Sequence, residues 1–438
     1  MRARALAVLQ WTGLGAAVGV ACGVSSAIFL LLLERATAIR QQHEAIVYAL
    51  PLAGLLTGWV YERWGASIKG GNNLVIDTIH ESSAQLPLRM APMVLVGTLL
   101  THLFGGSAGR EGTAVQMGAS LADGIAHRLR VGKETRRQLL AAGMAGGFGS
   151  VFGTPIAGML FGLEVVSVGR IEYDALVPAL IASLVGDFVC RHLGVVHTPY
   201  PAAASVALTP VVLGKLGLFG LAMALATIAF VEVTHLLKRF LEARVPRLPL
   251  RMFVGGVAVV VLWRVIGTSD YLGLGVPTIL RAFDDPSLPA GAFAAKLVFT
   301  SVTLASGFFG GEVTPLFFVG ATLGNTLARF LALPLALGAG VGLAAVFGAA
   351  ANTPVALSIM AVELLGASAL PHVAVVCVSA YVLSGHRGVY PAQRIRQRKH
   401  GGKALESPVA LRDFRDESSS PYAGTPSNPP SGDTPRAP

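Results

Sequence analysis

The chain is 438 residues long, with 53% hydrophobic side chains, only 13% charged ones and a mean hydropathy of +0.63. That balance excludes an ordinary soluble globular domain and points to a protein embedded in a bilayer. The formal net charge of +10 does not argue for a nucleic-acid partner, because the basic residues gather at Arg2 and Arg4, between Arg128 and Arg137, and between Arg387 and Lys403, where they suit cytoplasmic flanks of membrane helices.

Apolar segments able to enter a bilayer, roughly 17 to 25 residues each, are expected within 5–33, 45–60, 87–105, 138–168, 174–196, 211–234, 251–267, 293–320, 331–350 and 354–383. The first follows two arginines as a secretory signal would, yet it runs past the usual apolar length without a small-residue cleavage site before Leu33. It is expected to be a retained first helix. Between the second and third segments, Lys69-Gly70-Gly71-Asn72-Asn73-Leu74 interrupts the pattern, either as an ordinary turn or as the start of a short helix whose amides face an anion. Cys22, Cys190 and Cys377 sit in apolar surroundings without CxxC spacing, so they read as core residues rather than a disulfide framework or metal site. From Gly401 to Pro438 the chain turns to Ser, Pro, Gly and charge, which predicts a disordered tail. No soluble regulatory domain is expected.

Several segments are short or broken, and the broken ones repeat. Gly109-Arg110-Glu111-Gly112-Thr113, followed by Gly118-Ala119-Ser120-Leu121-Ala122-Asp123, matches Gly311-Glu312-Val313-Thr314-Pro315, followed by Gly320-Ala321-Thr322-Leu323-Gly324-Asn325, at an offset of 320 minus 118, or 202. Phe148-Gly149, Thr154-Pro155 and Glu164 match Phe347-Gly348, Thr353-Pro354 and Glu363 at an offset of 353 minus 154, or 199. Interrupted segments in corresponding positions of two halves mark the binding site of a secondary transporter near the bilayer midplane.

A helix start presents unpaired N–H groups and the positive end of its dipole, so several starts meeting in a dry interior can hold an anion. The glycines allow close backbone approach, Thr113 and Thr314 can cap, and Pro315 fits a first helical turn. The plainer reading is that these glycines serve helix packing, and for the Thr154-Pro155 and Thr353-Pro354 pair that reading is preferred. Glu111 is either a gate that exchanges an anion for a proton or one half of a surface pair with Arg110; a carboxylate inside a membrane protein favours an ion path. Glu312 is a second candidate for the proton path or for tuning an aqueous vestibule. Glu164 and Glu363 are expected to satisfy helix ends. Gly105-Gly106-Ser107-Ala108-Gly109 matches the serine-hydrolase elbow, with His102 nearby, but it lacks the strand-to-helix context that the elbow needs.

Gly109-Arg110-Glu111-Gly112 closely resembles the GREGP signature of the CLC family of anion channels and proton-coupled antiporters, and the similarity spans most of residues 10 to 400. Gly311-Glu312-Val313-Thr314-Pro315 is similar to that family's GxFxP motif, and Ser384-Gly385-His386-Arg387-Gly388-Val389-Tyr390 to the segment carrying its central tyrosine. The resemblance implies a homodimer whose subunits each hold a pathway, with Glu111 as external gate and Tyr390 as anion-coordinating phenol. Thr113 replaces the family's usual proline, Glu312 and Thr314 are polar where a chloride path is apolar, and Gly71-Asn72-Asn73-Leu74 stands where GSGIP supplies a central serine. These departures resemble the fluoride-exporting branch. Asn72 aligns with the serine, a one-residue shift selecting Gly71 or Asn73.

The expected protein is an all-α integral membrane protein built as an inverted repeat, residues 5–200 and 210–395, of tilted and discontinuous helices, followed by a basic linker and disordered tail over 396–438. It is expected to exchange fluoride for protons, one to one, across the inner membrane, with both termini cytoplasmic, no cofactor, no metal and no enzymatic activity. The anion site is expected to use Gly71, Asn72, Asn73, Arg110, Gly112, Thr113, Val313, Thr314 and Tyr390, with Glu111 and Glu312 handling protons. No Asp or Glu occurs from Phe188 to Val231, where chloride antiporters of the family carry an internal proton glutamate. A chloride or nitrate transporter or channel of the same fold is the alternative, and an intramembrane hydrolase a distant one.

Overall fold

A computed structural model describes residues 2–81, 85–203, 206–399, 401, 405 and 407–414. Among them the chain forms α1 (Arg2–Gln42), α2 (Leu50–Trp64), α3 (Asn72–Glu81), α4 (Met90–Leu103), α5 (Glu111–Arg128), α6 (Lys133–Phe152), α7 (Pro155–Glu164), β1 (Ser167–Val168), α8 (Leu176–His192) and α9 (Pro210–Arg244). There follow α10 (Leu248–Ile266), α11 (Val276–Arg281), α12 (Ala292–Ala305), α13 (Val313–Phe330), α14 (Leu335–Ala350), α15 (Pro354–Leu365), α16 (Leu370–Leu383), β2 (Arg394–Ile395) and β3 (Val409–Ala410).

Helix lengths are unequal in a way that a bilayer explains. Among the described residues five helical segments are long and apolar enough to cross: Val8–Gln42, Glu44–Trp64, Tyr173–His192, Pro210–Arg244 and Leu248–Ile266. At 1.5 Å per residue α9 is about 52 Å long, well beyond a hydrocarbon core of about 30 Å, so it crosses tilted. α7 and α15, with 10 and 12 residues, reach only about half way across. Leu218, Leu225 and Leu236 on α9 and Val261 and Val265 on α10 face outward, as lipid-facing side chains do.

Three of the expected apolar runs are broken. The 138–168 run divides at Gly153, the 354–383 run at Gly366, and the 293–320 run into α12 and α13 across residues 306–312. Gly153 has φ +74° and Gly366 φ +96°, left-handed turns that hydropathy does not register. The turn before α7 recurs before α15, where Asn352 takes φ +58°.

Glycine sets the closest helix approaches. A Cβ on Gly118 would lie 2.2 Å from the Gly143 carbonyl oxygen, and one on Gly320 2.0 Å from that of Gly342. Thus α5 packs on α6, and α13 on α14, backbone to backbone, as small residues permit in membranes. In the same repeat Asp123 accepts from Leu86 N at 2.7 Å, while Asn325 Nδ2 donates to Ala282 O at 2.9 Å, so each residue anchors the loop ahead of its own bundle.

Glu164 and Glu363 cap helix starts, each on the other's helix. Glu164 accepts from Val355 N and Ala356 N at 3.2 and 2.8 Å, and Glu363 from Ile156 N and Ala157 N at 3.0 and 2.8 Å. The Thr154-Pro155 and Thr353-Pro354 motifs therefore receive carboxylates rather than transported anions.

The C-terminal expectation is corrected in part. Val409–Ala410 pairs antiparallel with Arg394–Ile395, which pairs parallel with Ser167–Val168. Leu411 N donates to Gln393 O at 2.7 Å and Arg412 N to Pro391 O at 2.9 Å, while the Arg412 guanidinium reaches Asp77 on α3 at 2.9 and 3.2 Å. Residues 407–414 are a docked strap, because backbone pairing and one ion pair hold what apolar burial alone would not. The remainder of the expected tail, 415–438, lies outside the described residues.

Candidate functional site

The two repeated glycine motifs meet. Gly109 N donates to Gly311 O at 2.6 Å and Gly311 N to Gly109 O at 2.8 Å, an antiparallel bridge that places the N-termini of α5 and α13 against each other. Substituted carbons do not fit this junction, since a Cβ on Gly311 would lie 2.7 Å from Gly112 N.

Glu111 opens α5, and its side chain is wholly buried. Its carboxylate crosses to α13: Thr314 donates its hydroxyl to Oε1 at 2.5 Å and its amide to Oε2 at 3.1 Å. Arg110 N donates to Oε2 at 3.1 Å, and Arg110 Nε lies 3.4 Å from Oε1. The carboxylate occupies the amide-rich N-terminus of a helix, the position an anion would take, so Glu111 is no surface pair. Val313, the first residue of α13, is buried beside it.

Asn72 begins α3, after Gly70 at φ +117° and Gly71 at φ +56° turn the chain. A Cβ on Gly112 would lie 3.0 Å from Asn72 Nδ2 and 3.9 Å from Glu312 Oε2, so the amide and the second carboxylate flank the same glycine. Both retain buried oxygens without a partner, Asn72 Oδ1 and Glu312 Oε2. Buried polar atoms left unpaired are costly and collect where a ligand or proton is to be received. Tyr390 is 3% exposed, and its hydroxyl makes no hydrogen bond among the described residues.

Two expected ligands are committed elsewhere. Thr113 Oγ1 pairs with Thr98 Oγ1 on α4 at 2.7 Å, and Asn73 Oδ1 accepts from Ala392 N at 3.1 Å. Thr113 has only its backbone to offer, and Asn73 instead holds the chain two residues beyond Tyr390. Gly71 faces Gln116, whose Nε2 would lie 3.2 Å from a Cβ there; that glutamine belongs to the surroundings and carries no sequence signal. Gln393 also escapes sequence reading. It is fully buried, donates to Val165 O and Ala351 O at 2.8 Å each, and accepts from Asn352 Nδ2 at 2.9 Å, fixing the segment that carries Tyr390.

The hydrolase elbow is not assembled. Ser107 Oγ pairs with Thr300 Oγ1 at 2.9 Å, and neither ring nitrogen of His102 has a hydrogen-bond partner. Among the described residues no base hydrogen-bonds to the Ser107 hydroxyl. Cys22, Cys190 and Cys377 are free and buried.

Comparison with known proteins supplies a family. The family model for the voltage gated chloride channel matches residues 53–385. A chloride/fluoride channel protein of Pseudomonas syringae pv. tomato is 45% identical over 414 residues, covering 93% of this chain and 91% of that protein. The crystal structure of a CLC-type fluoride/proton antiporter superposes with a TM-score of 0.86 at 36% identity, covering 88% of this chain and 98% of that one. A slow cyanobacterial Cl−/H+ antiporter superposes with a TM-score of 0.75 at 18% identity, covering 85% of this chain and 94% of that one, a likeness of fold alone.

Proposed function

This chain belongs to the voltage gated chloride channel (CLC) family, and we propose from that premise that it exports fluoride in exchange for protons. It is a multi-pass membrane transport protein and no enzyme. The observation that carries the reading is the Glu111 carboxylate seated at the α13 N-terminus on Thr314 N and Thr314 Oγ1. A carboxylate in an anion's place competes with that anion, and protonation releases it from donors that suit only negative charge. Anion entry and proton carriage are thereby tied to one side chain.

Fluoride is preferred because the site is rich in donors. Thr314 Oγ1, Asn72 Nδ2 and the Tyr390 hydroxyl replace the water that a small, hard anion holds tightly, and polar groups placed for one ligand discriminate against another that pairs with them poorly. Glu312, beside Gly112 with an unpaired Oε2, takes the proton onward. The likeness to a fluoride/proton antiporter supports this assignment.

The halves 5–200 and 210–395 are the inverted units, and the working protein is a homodimer in the inner membrane with both termini cytoplasmic. Outward apolar side chains, Leu184 and Phe188 on α8 and Val378 and Leu383 on α16, supply the dimer face. The basic α5–α6 loop supports the orientation.

Purified protein in liposomes loaded with fluoride tests the function. With the voltage clamped by an ionophore, fluoride efflux should drive protons inward with little chloride flux. Chloride flux as fast as fluoride flux makes it an ordinary anion transporter, and fluoride flux without proton movement makes it a channel.

A further inference from the structure

We infer that a small inorganic anion binds in a second, buried basic pocket formed by Arg40, His102 and Lys296 around Gly273. Lys296, on α12, is fully buried. Its ammonium donates to Gly273 O at 2.7 Å and Tyr271 O at 3.1 Å and makes no ion pair among the described residues. An ammonium has three N–H donors, so one is left without an oxygen acceptor, with the Phe318 ring centre 5.3 Å from the nitrogen. Arg40, near the end of α1, is 6% exposed, and its Nε is buried without a partner. His102, at the last turn of α4, is fully buried; its ring is near the Gly109 backbone, but neither nitrogen makes a hydrogen bond of good geometry among the described residues.

These three side chains converge on one point. Gly273 has φ +56°, and a Cβ there would lie 3.1 Å from Arg40 Nη2 and 3.6 Å from His102 Nδ1, while its own carbonyl receives Lys296. Glu44, whose charge reaches Arg40, accepts instead from Ser269 Oγ at 3.3 Å and forms no ion pair with it. Buried cations inside a membrane protein pair with an opposite charge or mark an ion path. No described carboxylate forms an ion pair with any of the three, and the N–H donors left without an acceptor fit a compact monovalent anion.

The pocket lies on the side of the protein opposite the α5–α6 loop. Trp11 and Leu14, near the start of α1, pack in the same cluster as Val131 of that loop, whereas Arg40 lies 29 residues further along one continuous helix, about 43 Å away. With the basic loop cytoplasmic, the pocket is external. His102 lies seven residues before Gly109, where the gate motif begins. The pocket is then an outer way-station for the anion passing Glu111. That transport role rests on the exchange reading; occupancy of the pocket does not.

Right-side-out and inside-out membrane vesicles separate the two faces. In Arg40→Gln, the KM for fluoride supplied from outside should rise by about fivefold or more, as loss of one nearby charge predicts, with kcat and the inner-side KM unchanged. Sodium fluoride should also raise the melting temperature of purified Arg40→Gln less than that of the wild type, since a bound ligand stabilises the folded state. Lys296→Met should reproduce both effects if it folds; Arg40→Gln, at a helix end, carries the test if it does not. A monodisperse Arg40→Gln with unchanged external KM and an unchanged fluoride-dependent melting shift overturns the pocket. A wild type that performs no exchange, but whose melting shift is diminished by Arg40→Gln, retires the exchange reading and keeps the pocket.

Discussion

Glu164 and Glu363 each cap the start of the helix that carries the other. α7 ends at Glu164 and starts on the carboxylate of Glu363, while α15 contains Glu363 and starts on that of Glu164. Charge-assisted bonds to unpaired amides at a dipole's positive end stabilise each start by about 0.5 to 2 kcal/mol. Glu164→Ala should therefore lower the midpoint of thermal unfolding in detergent, followed by size exclusion, and Glu363→Ala should do so by a similar amount. Transport per folded molecule should stay near wild type in both, because neither carboxylate touches the ion site.

Glu111→Gln should abolish coupled transport without loss of folding. Glutamine keeps the shape and one acceptor oxygen, but it cannot carry a proton or vacate its position on protonation. Fluoride-driven proton uptake in liposomes should fall by at least about tenfold, equivalent to roughly 1.4 kcal/mol of barrier. Proton coupling unchanged in a monodisperse variant would show that the gate is elsewhere.

Thr314→Val tests selectivity. Valine preserves the volume and the amide bond to Glu111 Oε2 but deletes the hydroxyl that donates to Oε1. Loss of a hydrogen bond to a charged group costs about 1.5 to 3 kcal/mol, so the ratio of fluoride to chloride flux should fall by roughly tenfold or more. An unchanged ratio, measured with ion-selective electrodes for both halides, would remove Thr314 from the selectivity site.

The meeting of the two glycine motifs was legible in the sequence because they recur. The 202-residue offset sets the motif of Glu111 in register with that of Glu312 and Thr314, and Gly109 and Gly311 do pair. Side-chain direction was not legible. Asn72 and Asn73 are identical in type and adjacent, yet one faces Gly112 and the other ties down Ala392, a distinction made by the left-handed turns at Gly70 and Gly71. Thr113 looked equivalent to Thr314, but α4 presents Thr98 to it. That Glu164 and Glu363 satisfy helix ends was readable from their spacing; that each serves the other's helix depends on tertiary pairing. Arg40, His102 and Lys296 lie in three separate helices with no shared motif, so only the fold gathers them.

The strap over the Tyr390 segment should respond to pH through Lys399, which lies beyond α16. Its ammonium donates to Tyr381 O at 3.1 Å and sits 4.1 Å from the Tyr381 ring centre. Burial, with Arg387 adding repulsion, pushes its pKa down from 10.5 to about 7. Between those values the folded form binds fewer protons than the unfolded one, so stability rises with pH across that window and is lowest at and below about pH 7. His386 Nε2 accepts from Lys399 N at 3.1 Å, which holds the Lys399 backbone beside the end of α16. Amide exchange in residues 393–412, corrected for the intrinsic pH dependence, should be slower at pH 9 than at pH 6. In Lys399→Met most of that difference should vanish, and equal protection at both pH values in the wild type would show that Lys399 does not clamp the segment.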